Sequence, residues 1–293
     1  MGFRGLYTAI VTPFTSDGDL DLAAFGRLID LQLAAGVDGI VVTGSTGEGA
    51  TTTTAEKEQL WSFAVERVNG RIPIIAGTGT NDTRGTVDLT ARAAACGVQG
   101  ALVVTPYYNK PTPDGQIAHY RAVADSTSLP VILYNVPGRT GTNMTPATQL
   151  AIARACPNVV ATKEASANIE QMCEIMRDAP DHFCVLAGDD SLALPIIACG
   201  GVGVIAVISN YAPKRYGRLI HAALRGDLDT ARAEQYRLMP FYSANFFESN
   251  PIPVKWIMHM LGHMQPTYRL PLVPPTQTTQ QRLHDVFRDF VDA

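Results

Sequence analysis

Lys163 closes the apolar, β-branched run Val159-Val160-Ala161-Thr162 and is the only lysine between Lys110 and Lys214. An ammonium at the buried end of a strand loses hydration, which disfavours the charged form and leaves an amine able to attack a carbonyl carbon. Lys163 is therefore a candidate Schiff-base nucleophile. The same place also suits a lysine whose stem lies on apolar surface while its head reaches water. In Val131-Ile132-Leu133-Tyr134, residues 132 and 134 share one strand face, as do Ala161 and Lys163 in theirs. A phenol beside such a lysine suits proton relay, or is a core tyrosine whose hydroxyl meets main chain. Ser45 and Thr46, in Gly44-Ser45-Thr46-Gly47, offer hydroxyls and amides that suit a carboxylate, or else cap the next helix. Arg139, in a loop set by Pro137 and Gly138, could pair with a second carboxylate or stay solvated.

These residues need elements that bring them together. Eight short apolar runs recur: 8–12, 39–43, 72–76, 101–105, 131–134, 159–162, 184–187 and 204–208, each followed by helical periodicity. Near-continuous apolar strands imply a parallel sheet covered on both faces, and eight βα units imply a closed (β/α)8 TIM barrel. Three joints repeat a helix end, a glycine and a new strand: Ala34-Ala35-Gly36, Ala95-Cys96-Gly97 and Ala198-Cys199-Gly200. Glycine there supplies a left-handed helix terminus. The opposite joints are longer and richer in Gly, Thr, Asn and Pro, as expected where a barrel keeps its active site. Strand signals stop near residue 225. The expected division is a barrel over 1–225 and a small C-terminal helical subdomain over 226–293, with helices from Asp227 and from about Thr276. A doubly wound dinucleotide fold is disfavoured, since no GxGxxG or GxxxxGK[ST] follows a strand.

The 293 residues carry a net charge of −4 and no basic run, which argues against nucleic acid or an anionic membrane as partner. No apolar run approaches the roughly 20 residues of a membrane span, and no signal peptide is evident, so a soluble cytoplasmic protein is expected. The five cysteines show no CxxC spacing and read as reduced, buried thiols. His259 and His263 lack a third ligand, and Asp189-Asp190 reads as a helix cap, so no metal is expected. His119, His182, His221 and His284 fall in polar surroundings, and no histidine is assigned a catalytic role.

Six motifs stand in order: Gly44-Ser45-Thr46-Gly47-Glu48, Thr105-Pro106-Tyr107-Tyr108-Asn109, Tyr134-Asn135-Val136-Pro137-Gly138-Arg139-Thr140, Lys163-Glu164-Ala165-Ser166, Gly188-Asp189-Asp190 and Asn250-Pro251-Ile252-Pro253-Val254-Lys255. Together they resemble the dihydrodipicolinate synthase family of the class I aldolase superfamily, which also holds N-acetylneuraminate lyase. The resemblance runs from about Gly5 to the C-terminus. It implies that pyruvate condenses with Lys163 and that the enamine attacks L-aspartate-4-semialdehyde, a step of lysine biosynthesis by the diaminopimelate route, with no cofactor. It further implies a proton relay of Thr46, Tyr134 and Tyr108, with Tyr108 reaching into a neighbouring subunit. Ser45 and Thr46 would hold the pyruvate carboxylate and Arg139 that of the aldehyde, while Gly188 and Ile205 carbonyls face the lysine. Ser45 stands where Thr is more usual. The implied assembly is a homo-oligomer, a dimer or a dimer of dimers. In lysine-sensitive members a cleft at the dimer interface binds lysine. Ala50, Asn81 and Tyr107 match that cleft, but Thr54, Lys57 and Gly85 replace its two histidines and its glutamate, so weak or absent inhibition is expected. Two rivals stand beside this reading: a sister aldolase taking a sugar-derived 2-oxo acid, and a catalytically silent binding barrel.

Overall fold

The computed structural model describes residues 3–288 and 290. Eight parallel strands close in sequence order: β1 (Gly5–Ala9), β2 (Gly39–Val42), β3 (Ile74–Gly77), β4 (Gly100–Val104), β5 (Val131–Asn135), β6 (Val159–Glu164), β7 (Cys184–Ala187) and β8 (Gly203–Ala206). Closure is made by β8 on β1, with Tyr7 opposite Ile205. The expected TIM barrel is present. Its first strand, however, lies three residues earlier than the apolar run 8–12 indicates. Asn210 explains the shift: its side chain donates to Ala9 O and accepts from Val11 N, so those main-chain groups leave the ladder.

Strand alternation divides the apolar residues into two cores. Ala9, Val41, Leu102, Ile132, Tyr134, Ala161, Leu186 and Ile205 fill the barrel interior. Leu133, Val185, Ala187 and Val204 point outward against a helical shell. That shell comprises α1 (Leu22–Ala35), α2 (Thr54–Val68), α3 (Thr83–Ala95), α4 (Pro113–Asp125), the one-turn α5 (Pro137–Thr140), α6 (Pro146–Ala155), α7 (Ile169–Asp178), α8 (Ala193–Ala198) and α9 (Pro213–Leu224). At the three repeated joints Gly36, Gly97 and Gly200 have φ of 74, 81 and 116°. They end their helices in the left-handed region open to glycine.

Three more helices follow: α10 (Leu228–Ala244), α11 (Ile252–Met260) and α12 (Gln277–Phe287). Asp227 and Thr276 cap the first and last through their side chains, at the two starts the sequence indicates. Phe241 of α10 packs edge-on to Phe287 of α12 at 5.0 Å, and Tyr211 meets the same ring at 5.1 Å. No helix among the described residues is long and apolar enough to cross a membrane.

Two expectations about side chains are overturned. Only Cys156 is buried; Cys199 is exposed and Cys96, Cys173 and Cys184 are half-buried. His119 lies on the inner face of α4, not in polar surroundings. It stands edge-on to Tyr120 with Nδ1 2.9 Å from the Thr83 hydroxyl, and its Nε2 has no partner among the described residues. Burial pushes this imidazole down from its ordinary 6.5 to about 4, against a small opposing pull from Asp82. Because the unfolded chain binds the proton first, stability is full above pH 6.5 and falls as the pH drops toward 4. Over that window His119 should account for on the order of 2 to 3 kcal/mol, seen as the difference between wild type and His119→Asn in urea unfolding. Identical pH slopes in the two proteins would remove this histidine from the account.

Candidate active site

The pairing of β5 with β6 sets Tyr134 opposite Lys163 and Asn135 opposite Glu164. One pair faces the barrel interior and the other its helical shell. Lys163 is 6% exposed, and its Nζ lies 4.3 Å from the centroid of the Tyr134 ring. Nothing here resembles a snorkelling surface lysine. Behind it, the wholly buried Glu164 carboxylate accepts from Asn135 Nδ2 at 3.0 and 3.1 Å, Gln149 Nε2 at 2.7 Å, Gln171 Nε2 at 3.1 Å and Ser166 N at 3.0 Å. This buried anion is satisfied by neutral donors from β5, α6 and α7, which ties the two strands to the shell. Glu164 stands in the Lys163-Glu164-Ala165-Ser166 motif, but the sequence assigned it no part. The available signal was Asn135 in the apolar strand β5; Gln149 and Gln171 lie on helices with other polar residues and gave none.

Lys163 opens into a cavity of about 210 Å³ at the C-terminal end of the barrel, lined also by Ser45, Thr46, Tyr134, Arg139, Gly188, Asp189 and Asn250. A larger space of about 470 Å³ adjoins it and shares Ser45, Tyr134, Arg139 and Asn250. Gly188 approaches the end of β6 closely. A Cβ there would sit 2.5 Å from Ala165 Cβ, so the cavity wall admits only glycine at this point.

The Ser45-Thr46 turn does not cap α2. The N-cap of that helix is Thr53, whose hydroxyl and the Glu56 carboxylate form a capping box. Ser45 is exposed to both cavities, whereas the buried Thr46 hydroxyl accepts from Asn250 Nδ2 at 3.0 Å. Arg139 belongs to the short helix α5, not a loop, and donates from Nη2 to Asn250 O at 2.9 Å. Asn250 thus joins the hydroxyl turn to the arginine, a function its motif did not disclose.

Two predicted residues stand apart. Ile205 is buried and does not line the cavity; Val207, just past the end of β8, lines it instead. Tyr108 lines neither cavity. It is 88% exposed and carries φ of 73°, a costly backbone state for an aromatic residue. Its predecessor Tyr107 lines the outer space.

Asp190 does not cap a helix as expected. Its carboxylate accepts from Val207 N and Ile208 N, tying β7 to the end of β8, and burial pushes it up to about 6. Asp189, on the cavity wall, is also raised by burial, with Lys163 pulling the other way. Among the described residues no three His, Cys, Asp or Glu side chains are grouped as metal ligands.

This arrangement offers a buried amine against a phenol, hydroxyls and a guanidinium at the rim, and one acidic wall. It suits imine chemistry on a small oxo acid with a second carboxylate held at the mouth. The dihydrodipicolinate synthetase family model matches residues 2–289. The chain belongs to that family. It is 46% identical to the 4-hydroxy-tetrahydrodipicolinate synthase of Salinibacter ruber, over all of this chain and 97% of the relative. The crystal structure of dihydrodipicolinate synthase from Aquifex aeolicus superposes with a TM-score of 0.96 at 43% identity, covering 98% of this chain and 97% of that one. A dihydrodipicolinate synthase from Acinetobacter baumannii, complexed with pyruvate, is 37% identical with a TM-score of 0.95, covering 98% of each chain. The family resemblance drawn from six motifs is shown by these matches, and the fold with it.

Proposed function

We propose that this chain condenses pyruvate with L-aspartate-4-semialdehyde to give 4-hydroxy-tetrahydrodipicolinate, the activity its relatives are named for. The observation that carries the reading is Lys163 Nζ, buried and 4.3 Å from the Tyr134 ring centroid, at the floor of the cavity. The amine adds to the pyruvate ketone and water leaves as the imine forms. The iminium withdraws electrons from the methyl group, which gives up a proton to become the enamine. The enamine carbon then bonds to the aldehyde carbon, whose oxygen takes a proton. The substrate's own amine displaces Lys163 and closes the ring, returning the lysine free.

Tyr134 and Thr46 move these protons, together with Tyr108 of a second copy. An aromatic ring so exposed, at a positive φ, supports that placement in a neighbour's cavity and hence a homo-oligomer, a dimer or a dimer of dimers. Ser45 and Thr46 hold the pyruvate carboxylate, and Arg139 that of the aldehyde substrate. The carbonyls of Gly188 and Ile205 face the lysine side of the site. The catalytic barrel runs to residue 225 and a helical subdomain follows from 226, lending the cavity Phe246 and Asn250; the expected outer bounds, 1 and 293, lie outside the described residues. No cofactor or metal takes part, and the enzyme works in the cytoplasm.

Borohydride added with pyruvate should inactivate the protein and leave a reduced adduct on the Lys163 peptide. An adduct on any other lysine would sink the assignment. A turnover assay with pyruvate and the semialdehyde separates this activity from that of a sugar-acid aldolase or a silent barrel.

Arg139→Ala should weaken use of the aldehyde while pyruvate trapping persists. Losing one charge-assisted pair costs about 2 to 5 kcal/mol in kcat/KM for that substrate. Equal loss of trapping would make Arg139 structural.

Free L-lysine should inhibit weakly or not at all. Lys57, which lines the outer space, is buried and donates to Thr52 O, so it occupies room and adds no acceptor for an incoming ammonium. Gly85 brings no carboxylate either. Half-inhibition of the initial rate below about 1 mM, where binding is worth roughly 4 kcal/mol, would contradict this.

A further inference from the structure

We propose that Glu48 and Lys255 are positioning residues for the carboxylate-holding wall of the cavity, an inference that rests on the reading of Ser45, Thr46 and Arg139 above. Their side chains form an ion pair with no exposure at either partner. The Lys255 ammonium also sits 4.4 Å from the Phe14 ring centroid and 5.1 Å from that of Tyr268. The second Glu48 oxygen accepts from Arg269 N at 3.3 Å, and Tyr268 in turn donates its hydroxyl to Ile252 O at 2.9 Å. Lys255 lines neither cavity, and Glu48 only the outer one.

The pair matters for what its two main chains hold. Glu48 adopts φ of 52° and closes the hydroxyl turn: its N donates to Ser45 O at 3.2 Å, and its O accepts from Thr51 N at 3.0 Å and Thr52 Oγ1 at 2.8 Å. Lys255 lies in the first turn and a half of α11, donating its N to Pro251 O. Just before that helix, Asn250 donates to Thr46 and accepts from Arg139. The turn 45–48 and the start of α11 are therefore joined twice, by Glu48 with Lys255 and by Thr46 with Asn250, with Ser45 and Arg139 bonded to the same two segments. An apolar pair would fill the same volume with equal or better stability, so what the charges add is direction. They hold a strained turn and a distant helix start in one relative position, which sets the spacing between the two carboxylate grips.

Three variants test this: Glu48→Gln, Lys255→Met and the double variant. Each single change leaves a buried unpaired charge or an orphaned partner and should lower the melting temperature sharply, while the double variant recovers most of it. The double variant should nonetheless show KM values for pyruvate and the semialdehyde raised about 10- to 100-fold, with a smaller fall in kcat. Borohydride trapping at saturating pyruvate should still label Lys163. Wild-type KM values in the recovered double variant would overturn the proposal and leave the pair a purely structural feature. Should the double variant not fold, Glu48→Asp keeps both charges and draws the turn toward α11 by one methylene; it should raise both KM values about tenfold, and unchanged values would again overturn it. Failure of the wild-type protein to trap pyruvate on Lys163 would instead strike the assignment of that lysine, which these KM comparisons do not depend on.

Discussion

The register between β5 and β6 is the constraint on which the rest depends. A slip of β6 by one residue would turn Lys163 toward the helices and Glu164 into the cavity, leaving Tyr134 inside without its amine. Apolar patterning alone resists such a slip weakly on strands buried on both faces. Here the resistance comes from a carboxylate whose hydrogen bonds exist in only one register. Its partners are amides from β5, α6 and α7, and all of them are met only when Glu164 faces the shell. The same atoms that make the outer side of β6 unlike a hydrophobic strand make its inner side dependable.

On that frame the site divides by distance along the chain. The amine and phenol come from adjacent strands, and their geometry follows from the barrel itself. The hydroxyl turn and Arg139 come from the loops above it, and their geometry depends on Asn250, Lys255 and Arg269, about 200 residues from the turn they brace. Regular secondary structure positions the nucleophile. Long-range polar contacts position the groups that select what reaches it.

This division also explains what was legible beforehand. Apolar runs and glycine-ended helices carry their meaning locally, so the eight strands, their closure and the two late helix starts could be read from short windows. Strand alternation placed Tyr134 beside Lys163 for the same reason. The position of β1 could not be read this way, since Asn210, far along the chain, takes the main-chain groups that would have extended it. Nor could the burial of His119, which depends on how α4 seats against α3. Asp190 looked like a cap because Gly-Asp-Asp is a cap locally; its true partners lie just past the end of β8. The Glu48–Lys255 pair was visible as two motif residues, yet nothing in either motif names the other.

The bracing of residues 44–48 by residues 250–269 also has a temporal side. A ribosome delivers the strands, the lysine and its phenol well before the segment that completes the wall. Until that segment arrives, Glu48 has no counter-charge and Thr46 no amide donor, so the nascent barrel holds its amine but not its grip on substrate. The last segment to be made is thus the one that completes the wall around the cavity, long after the amine and its phenol are in place.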